Sequence, residues 1–185
     1  LSKIESGRLQ MEEIPFNLRE EMDHAIRGFE IRARDKGLKL TTHYSENLGE
    51  RFIGDPFRLK QVLTNLLSNA VKYTQAGKLE LHCELQDDVL RISIKDTGIG
   101  IPEAEQAMVF DRYYRAKSGL LSVSGSGIGL NLVKYVAELH GIGLELRSAE
   151  GSGTEITLRY PLGLEKINAA YDVLEDDASI KSRKP

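Results

Sequence analysis

Two periodicities divide this chain. Between positions 78 and 96 apolar residues alternate with polar ones, as in KLELHCEL and VLRISIKD, and Asp87-Asp88 lies between the two runs. Period two on both sides of a two-residue polar break predicts a β-hairpin with strands over 78–86 and 89–96. The same pattern over 144–149 and 154–162, turned around Glu150-Gly151-Ser152-Gly153, predicts a second. Segment 38–45 alternates as one further strand, and 51–54 has the length of a short one. Elsewhere the period is helical. Leu18, Met22, Ile26, Phe29 and Ala33 recur on one face after Asn17 and Glu20, which have the form of a capping box, and Gly37 closes the helix. Asp55-Pro56 opens a second helix, in which Leu59, Val62, Leu63, Leu66, Leu67, Ala70 and Val71 form a buried arc. A third runs from about 130 to 140. Helices and hairpins in this order imply an α+β, two-layer sandwich: a mixed, mainly antiparallel sheet with helices on one face, the other face open to solvent or a partner.

The chain organises around the helix over 55–74, because its polar face is unusual. At about 100° per residue, Arg58, Gln61, Asn65, Asn69 and Lys72 gather in one stripe with Tyr73 at its border. Asn is a poor helix former, so two of them four apart suggest a task for their side chains. That task is binding an ion or a nucleotide; the alternative is a solvated face that happens to carry Asn.

Composition narrows the choice. The 185 residues suffice for one domain and a short appendage, read as 12–162. Residues 1–11, with apolar Leu1, Ile4 and Leu9, have the pattern of a helix end begun upstream, as in a fragment, with a linker. Residues 163–185 read as a short helix and then a disordered tail. A net charge of −3 and a pI near 5.9 argue against nucleic acid or an anionic membrane surface as partner. One cysteine, Cys83, excludes an internal disulfide and a thiolate zinc cluster, and suits a reducing cytoplasm. No apolar run is long enough to span a bilayer.

Three glycine clusters carry the remaining chemistry. Asp96-Thr97-Gly98-Ile99-Gly100 leaves a strand end, where a carboxylate could accept from a base amino group; a turn Asp is the plainer reading. Gly125-Ser126-Gly127-Ile128-Gly129 opens the third helix, where close-approaching backbone and free N–H groups suit phosphate. It is neither a Walker loop nor a dinucleotide fingerprint, since no Gly-Lys-Ser/Thr follows it and no strand directly precedes it. Gly151-Ser152-Gly153-Thr154 reads equally as a hairpin turn or a binding element. Between the first two clusters, 112–124 has no clear period and the composition of a mobile, functional loop.

In order, Asn65-x-x-x-Asn69-Ala70-x-Lys72-Tyr73-Thr74, Asp96-Thr97-Gly98-Ile99-Gly100, Phe110-x-Arg112-Tyr113-Tyr114-Arg115 and Gly125-Ser126-Gly127-Ile128-Gly129-Leu130 resemble the N, G1, F and G2 boxes of the catalytic ATP-binding domain of two-component sensor histidine kinases. The resemblance covers nearly all of 12–162 and implies a Bergerat-type ATP-binding fold. By that resemblance Asn69 would coordinate Mg²⁺ at the phosphates of ATP, with Asn65 and Lys72 nearby as catalytic residues. Asp96 would hold the adenine amino group, and Tyr73, Gly98, Gly100, Ile101 and Thr154 would shape the base pocket. Gly125, Gly127, Ile128, Gly129 and Leu130 would flank the triphosphate, and Arg112 and Arg115, at the hinge of an ATP lid, would neutralise charge on the γ-phosphate. Two features depart from the pattern. His140-Gly141-Ile142 stands where His-Gly-Gly is usual, and none of His24, His43, His82 and His140 has the context of a phosphoacceptor. The acceptor is therefore expected on a dimerisation domain outside this chain. LSKIESGRL itself resembles the end of that domain's second helix.

The implied function is presentation of the γ-phosphate of Mg·ATP to that histidine. A downstream response regulator is the further partner, this chain is monomeric by itself, and the parent is a cytoplasmic or inner-membrane-anchored homodimer. An ATP hydrolase of the same superfamily is the first alternative. Those enzymes resemble one another in a Glu four residues before the metal-binding Asn, a general base contributing roughly 10²- to 10⁴-fold, and this chain has Asn65 there. A nucleotide-binding pseudokinase that regulates a partner without chemistry is the second.

Overall fold

The computed structural model describes residues 12–49, 51–114 and 128–161. Within them lie strand β1 (Ile14–Asn17), helix α1 (Leu18–Asp35), strands β2 (Lys39–Tyr44) and β3 (Arg51–Gly54), helix α2 (Pro56–Tyr73), strands β4 (Lys78–Gln86) and β5 (Val89–Asp96), the one-turn helix α3 (Glu103–Gln106), helix α4 (Gly129–Leu139), and strands β6 (Gly143–Ala149) and β7 (Gly153–Pro161). Five strands form one sheet in the order β2-β4-β5-β7-β6, with β2 parallel to β4 and every other pair antiparallel. The expected mixed, mainly antiparallel sheet is therefore present. Pattern reading did not anticipate β1, which pairs with β3 as a separate two-stranded ribbon, or α3. Four residues with Pro15 among them carry too little periodicity to declare themselves.

Both long helices start where their caps require. Asn17 Oδ1 accepts the Glu20 N–H at 3.2 Å, and Asp55 Oδ1 accepts the Arg58 N–H at 2.9 Å. Leu18, Met22, Ile26 and Phe29 of α1, Leu63, Leu66 and Leu67 of α2, and Val133 and Val136 of α4 are buried against the sheet residues Leu79, Leu81, Cys83, Leu90, Ile92, Ile94, Ile156 and Leu158. Val71, assigned to the α2 arc, is only partly buried at its margin. The opposite sheet face is polar. Cross-strand register sets Glu80 beside Lys95 and Glu84 beside Arg91, Arg159 Nη1 donates to Glu145 Oε1 at 2.8 Å, and His43 stacks on His82 at 4.6 Å between ring centroids. Among the described residues no helix is long and apolar enough to cross a membrane.

Strand alternation places the site. Leu90, Ile92 and Ile94 face the helices, so Asp96, two residues further, faces them too. Register continues that last row across the sheet, from Leu79 through Asp96 and Thr154 to Ser148. The helix-covered face thus ends in three polar residues, Asp96, Thr154 and Ser148.

Candidate functional site

Asp96 is 9% exposed, and both of its hydrogen bonds from described residues go to one oxygen: Oδ1 accepts the Gly98 N–H at 2.8 Å and the Thr154 N–H at 3.3 Å. Burial holds the carboxyl above its usual value, and the two N–H bonds pull it partway back. Oδ2 is left as an acceptor for a group from outside. The surrounding backbone is packed too closely for side chains. A Cβ on Gly98 would lie 2.5 Å from the Tyr73 carbonyl oxygen, and one on Gly100, where φ is +68°, would lie 1.9 Å from that of Ala149. Gly153, at φ +94°, is pressed against the Asp96 carbonyl in the same way, so the Gly-Ser-Gly-Thr segment is both the hairpin turn and a wall of this site.

A hydrogen-bonded clasp that pattern reading missed fixes this wall. The Ile101 N–H donates to Ser148 Oγ at 2.8 Å, and Ser148 Oγ lies 2.9 Å from both the Gly153 carbonyl and Thr154 Oγ1. Gln106 Nε2 donates to the Ile101 and Ser148 carbonyls at 3.0 and 2.8 Å. Ser148 could have been found by carrying the alternation of the second hairpin to the partner of Thr154; Gln106 has no sequence signal.

Helix α2 ends against the same loop, and each of its last four carbonyls has a partner. Thr74 N–H donates to Ala70, Lys36 Nζ donates to Val71 at 2.7 Å and Lys72 at 3.1 Å, and the Ile99 N–H donates to Tyr73 at 3.2 Å. An ammonium at this helix end also meets the negative end of the macrodipole. Lys36 was not singled out in the sequence.

The amide stripe runs back along α2 from this point. Asn65 Nδ2 donates to the Gln61 carbonyl at 2.9 Å, and a Cβ on Gly129 would come within 2.8 Å of Asn65 Oδ1, so the start of α4 sits on that amide. The side chain of Asn69, half-buried one turn on, makes no hydrogen bond with any described residue. Lys72 Nζ lies 3.1 Å from Tyr73 Oη and 4.7 Å from its ring centroid, on the exposed border. Arg58, at the far end of the stripe, is engaged with Gln61 Oε1 at 2.9 Å.

The structure therefore brings Asp96, Gly98, Gly100, Ile101 and Thr154 together at one end of the sheet, with the helix bearing Asn65, Asn69, Lys72 and Tyr73 ending on them and Gly129 touching Asn65. Ile128 and Leu130 flank that contact. Arg112 lines a groove on the outer side of α4 with Phe110, Asn131 and Tyr135, and its guanidinium lies 4.9 Å from the Tyr113 ring centroid. Arg115, Gly125 and Gly127, most of the 112–124 loop, 1–11 and 163–185 lie outside the described residues.

The model of a family described as histidine kinase-, DNA gyrase B- and HSP90-like ATPases matches residues 54–164. The sensor histidine kinase RcsC of Salmonella typhimurium is 36% identical over 162 residues, which are 87% of this chain and 17% of RcsC. The chain thus spans about a sixth of the length of the curated relatives it matches. Full-length ShkA in complex with AMPPNP superposes with a TM-score of 0.75 at 25% identity, covering 86% of this chain and 33% of that one. The nucleotide-free catalytic domain of histidine kinase ThkA does so with a TM-score of 0.70 at 27% identity, covering 82% and 98%.

Proposed function

This chain belongs to the histidine kinase-, DNA gyrase B- and HSP90-like ATPases, and from that membership we propose that it is the ATP-binding catalytic part of a sensor histidine kinase. It binds Mg·ATP and presents the γ-phosphate to a histidine on a dimerisation domain outside the chain, for relay to a response regulator. The parent acts in the cytoplasm as a homodimer.

The base end reads adenine. Asp96 Oδ2 accepts the exocyclic amine, which guanine lacks at that position, and the close-packed backbone at Gly98, Gly100 and Gly153 offers a flat surface to a ring. Tyr73 borders the same space, and Ile101 and Thr154 complete it. At the phosphate end Asn69 would hold Mg²⁺, with Asn65 nearby. The fit rests on Asn69 having an amide oxygen that no described residue engages, a hard neutral donor suited to an ion that keeps waters and phosphate oxygens as its other ligands. The bound ion would neutralise charge on the phosphate oxygens. Lys72 adds a cation on the same face and Gly129 leaves room beside Asn65; by the resemblance, Gly125 and Gly127 would flank the triphosphate and Arg112 and Arg115 would neutralise charge on the γ-phosphate.

The observation that carries phosphotransfer over hydrolysis is the amide at Asn65. It stands four residues before Asn69, is committed to the Gln61 carbonyl, and has no basic lone pair with which to take a proton from water. The test is incubation with γ-labelled ATP and a separately made dimerisation domain. Acid-labile label on that domain's histidine, with little phosphate release, is expected. Rapid phosphate release without labelling points to a hydrolase, and nucleotide binding with neither to a pseudokinase.

A further inference from the structure

Thr74 ends α2 with a hydroxyl that no interaction described so far uses. The residue is 0% exposed, and its Oγ1 is a buried polar atom without a hydrogen-bond partner among the described residues. An unpaired buried hydroxyl carries a desolvation cost that a valine of the same shape would not. Its surroundings show where a partner lies. Around the point where a Cβ on Gly98 would stand, three oxygens converge: the Tyr73 carbonyl at 2.5 Å, Asp96 Oδ1 at 2.8 Å and Thr74 Oγ1 at 2.9 Å. The carbonyl already accepts from Ile99 and the carboxylate oxygen from Gly98 and Thr154. Of the three, Thr74 alone can donate, and it shares this small space with two acceptors without bonding to either.

Building on the adenine-binding reading above, we propose that Thr74 is a positioning residue for base recognition, its hydroxyl donating to the Asp96 carboxylate once a nucleotide occupies the pocket. This bond would give the carboxylate a third donor, keep it ionised, and turn its second oxygen toward the base amine. The cost borne in the empty protein is then relieved on binding, so the hydroxyl adds to affinity and adds nothing to the stability of the free chain.

The setting isolates this effect. Asp96 is faced by Leu79 from β4, by Thr154 from β7, by Gly98 from the loop, and by Tyr73 and Thr74 from the end of α2. Tyr73 is the titratable residue among them, its phenol held by Lys72 Nζ, and no charged side chain of the described residues contributes to the upward displacement of the Asp96 carboxyl.

The experiment compares wild type, Thr74→Val and Thr74→Ser by calorimetric titration with ADP across pH and by thermal unfolding without nucleotide. For Thr74→Val the unfolding midpoint is expected to be unchanged or higher, with ADP affinity roughly tenfold weaker, the loss of one charge-assisted hydrogen bond. Its affinity should also begin to fall at a higher pH than in wild type, because a carboxylate deprived of a donor to its charged form protonates sooner. Thr74→Ser should restore affinity and pH profile. Thr74→Val affinity within twofold of wild type with an unshifted pH profile would overturn the proposal, as would stability and affinity falling together without rescue by serine. Failure of the wild type itself to bind ADP would sink the nucleotide reading and this proposal together, whereas a wild-type chain that binds beside an unaffected Thr74→Val sinks this one alone.

Discussion

The two ends of the site are built by opposite means. At the proposed base end recognition belongs to the backbone and one buried carboxylate: Asp96 is held by two N–H groups, and a Cβ added at Gly98, Gly100 or Gly153 would lie 1.9–2.5 Å from the nearest backbone oxygen. At the proposed phosphate end it belongs to long side chains on one helix face, of which Asn69 bonds to no described residue and Lys72 and Tyr73 border solvent. The first is fixed by a dense set of hydrogen bonds among the described residues, and the second has fewer. The difference follows from the elements that carry them, since a sheet end held by register and a hairpin clasp has little freedom while amide and ammonium groups on an α-helix keep theirs.

Glycine substitutions break this comparison most directly. Gly153→Ala sets a Cβ 2.0 Å from the Asp96 carbonyl at positive φ, where only backbone can yield, so a loss of about 2–4 kcal/mol in unfolding free energy is expected by denaturant titration. Gly129→Ala meets the Asn65 side chain at 2.8 Å, which can rotate away, so less than about 1 kcal/mol should be lost. Equal costs at the two positions would erase the distinction.

Asp96→Asn should keep the fold, because an amide oxygen can still accept from Gly98 and Thr154. Affinity for adenine nucleotides should fall by about 3 kcal/mol, roughly 100-fold, by calorimetry. Stability should change with the opposite sign. A carboxyl raised on folding binds more protons in the folded chain between its unfolded value of 3.8 and its folded value, so stability falls as pH rises through that window. The variant should lose that slope and be at least as stable as wild type at neutral pH, while wild-type affinity rises through the same window as the carboxylate ionises.

Asn69→Ala tests the other end. Its side chain bonds to no described residue, so thermal unfolding should move little, while the Mg²⁺-dependent part of ATP affinity should fall roughly tenfold and affinity for adenosine should not. The smallest expected effect is at the junction between the ends. Lys36→Met removes the ammonium from the Val71 and Lys72 carbonyls and should cost about 1 kcal/mol, read as a drop of a few degrees in unfolding midpoint.

Much of this architecture is local and therefore legible in the chain. Alternation about Asp87-Asp88, the caps at Asn17 and Asp55 and the 3.6-residue arc of α2 depend on neighbours a few positions apart, and each stands in the structure with ends moved by a residue or so. The same alternation assigns Asp96 to the helix-covered face, and helical spacing alone gathers Asn65, Asn69 and Lys72. What tertiary structure decided lies across long separations that no local period encodes. The pairing of β1 with β3 joins two four-residue segments, and the clasp joins Gln106 to Ser148, 42 positions apart. Lys36 reaches carbonyls 35 and 36 positions away, and the Gly-Ser-Gly-Thr turn becomes a wall only because β7 pairs with β5 and sets Thr154 opposite Asp96. The unpaired hydroxyl of Thr74 belongs with these. In the sequence it ends a helix, and only tertiary packing beside the Gly98 loop buries it with no partner among the described residues.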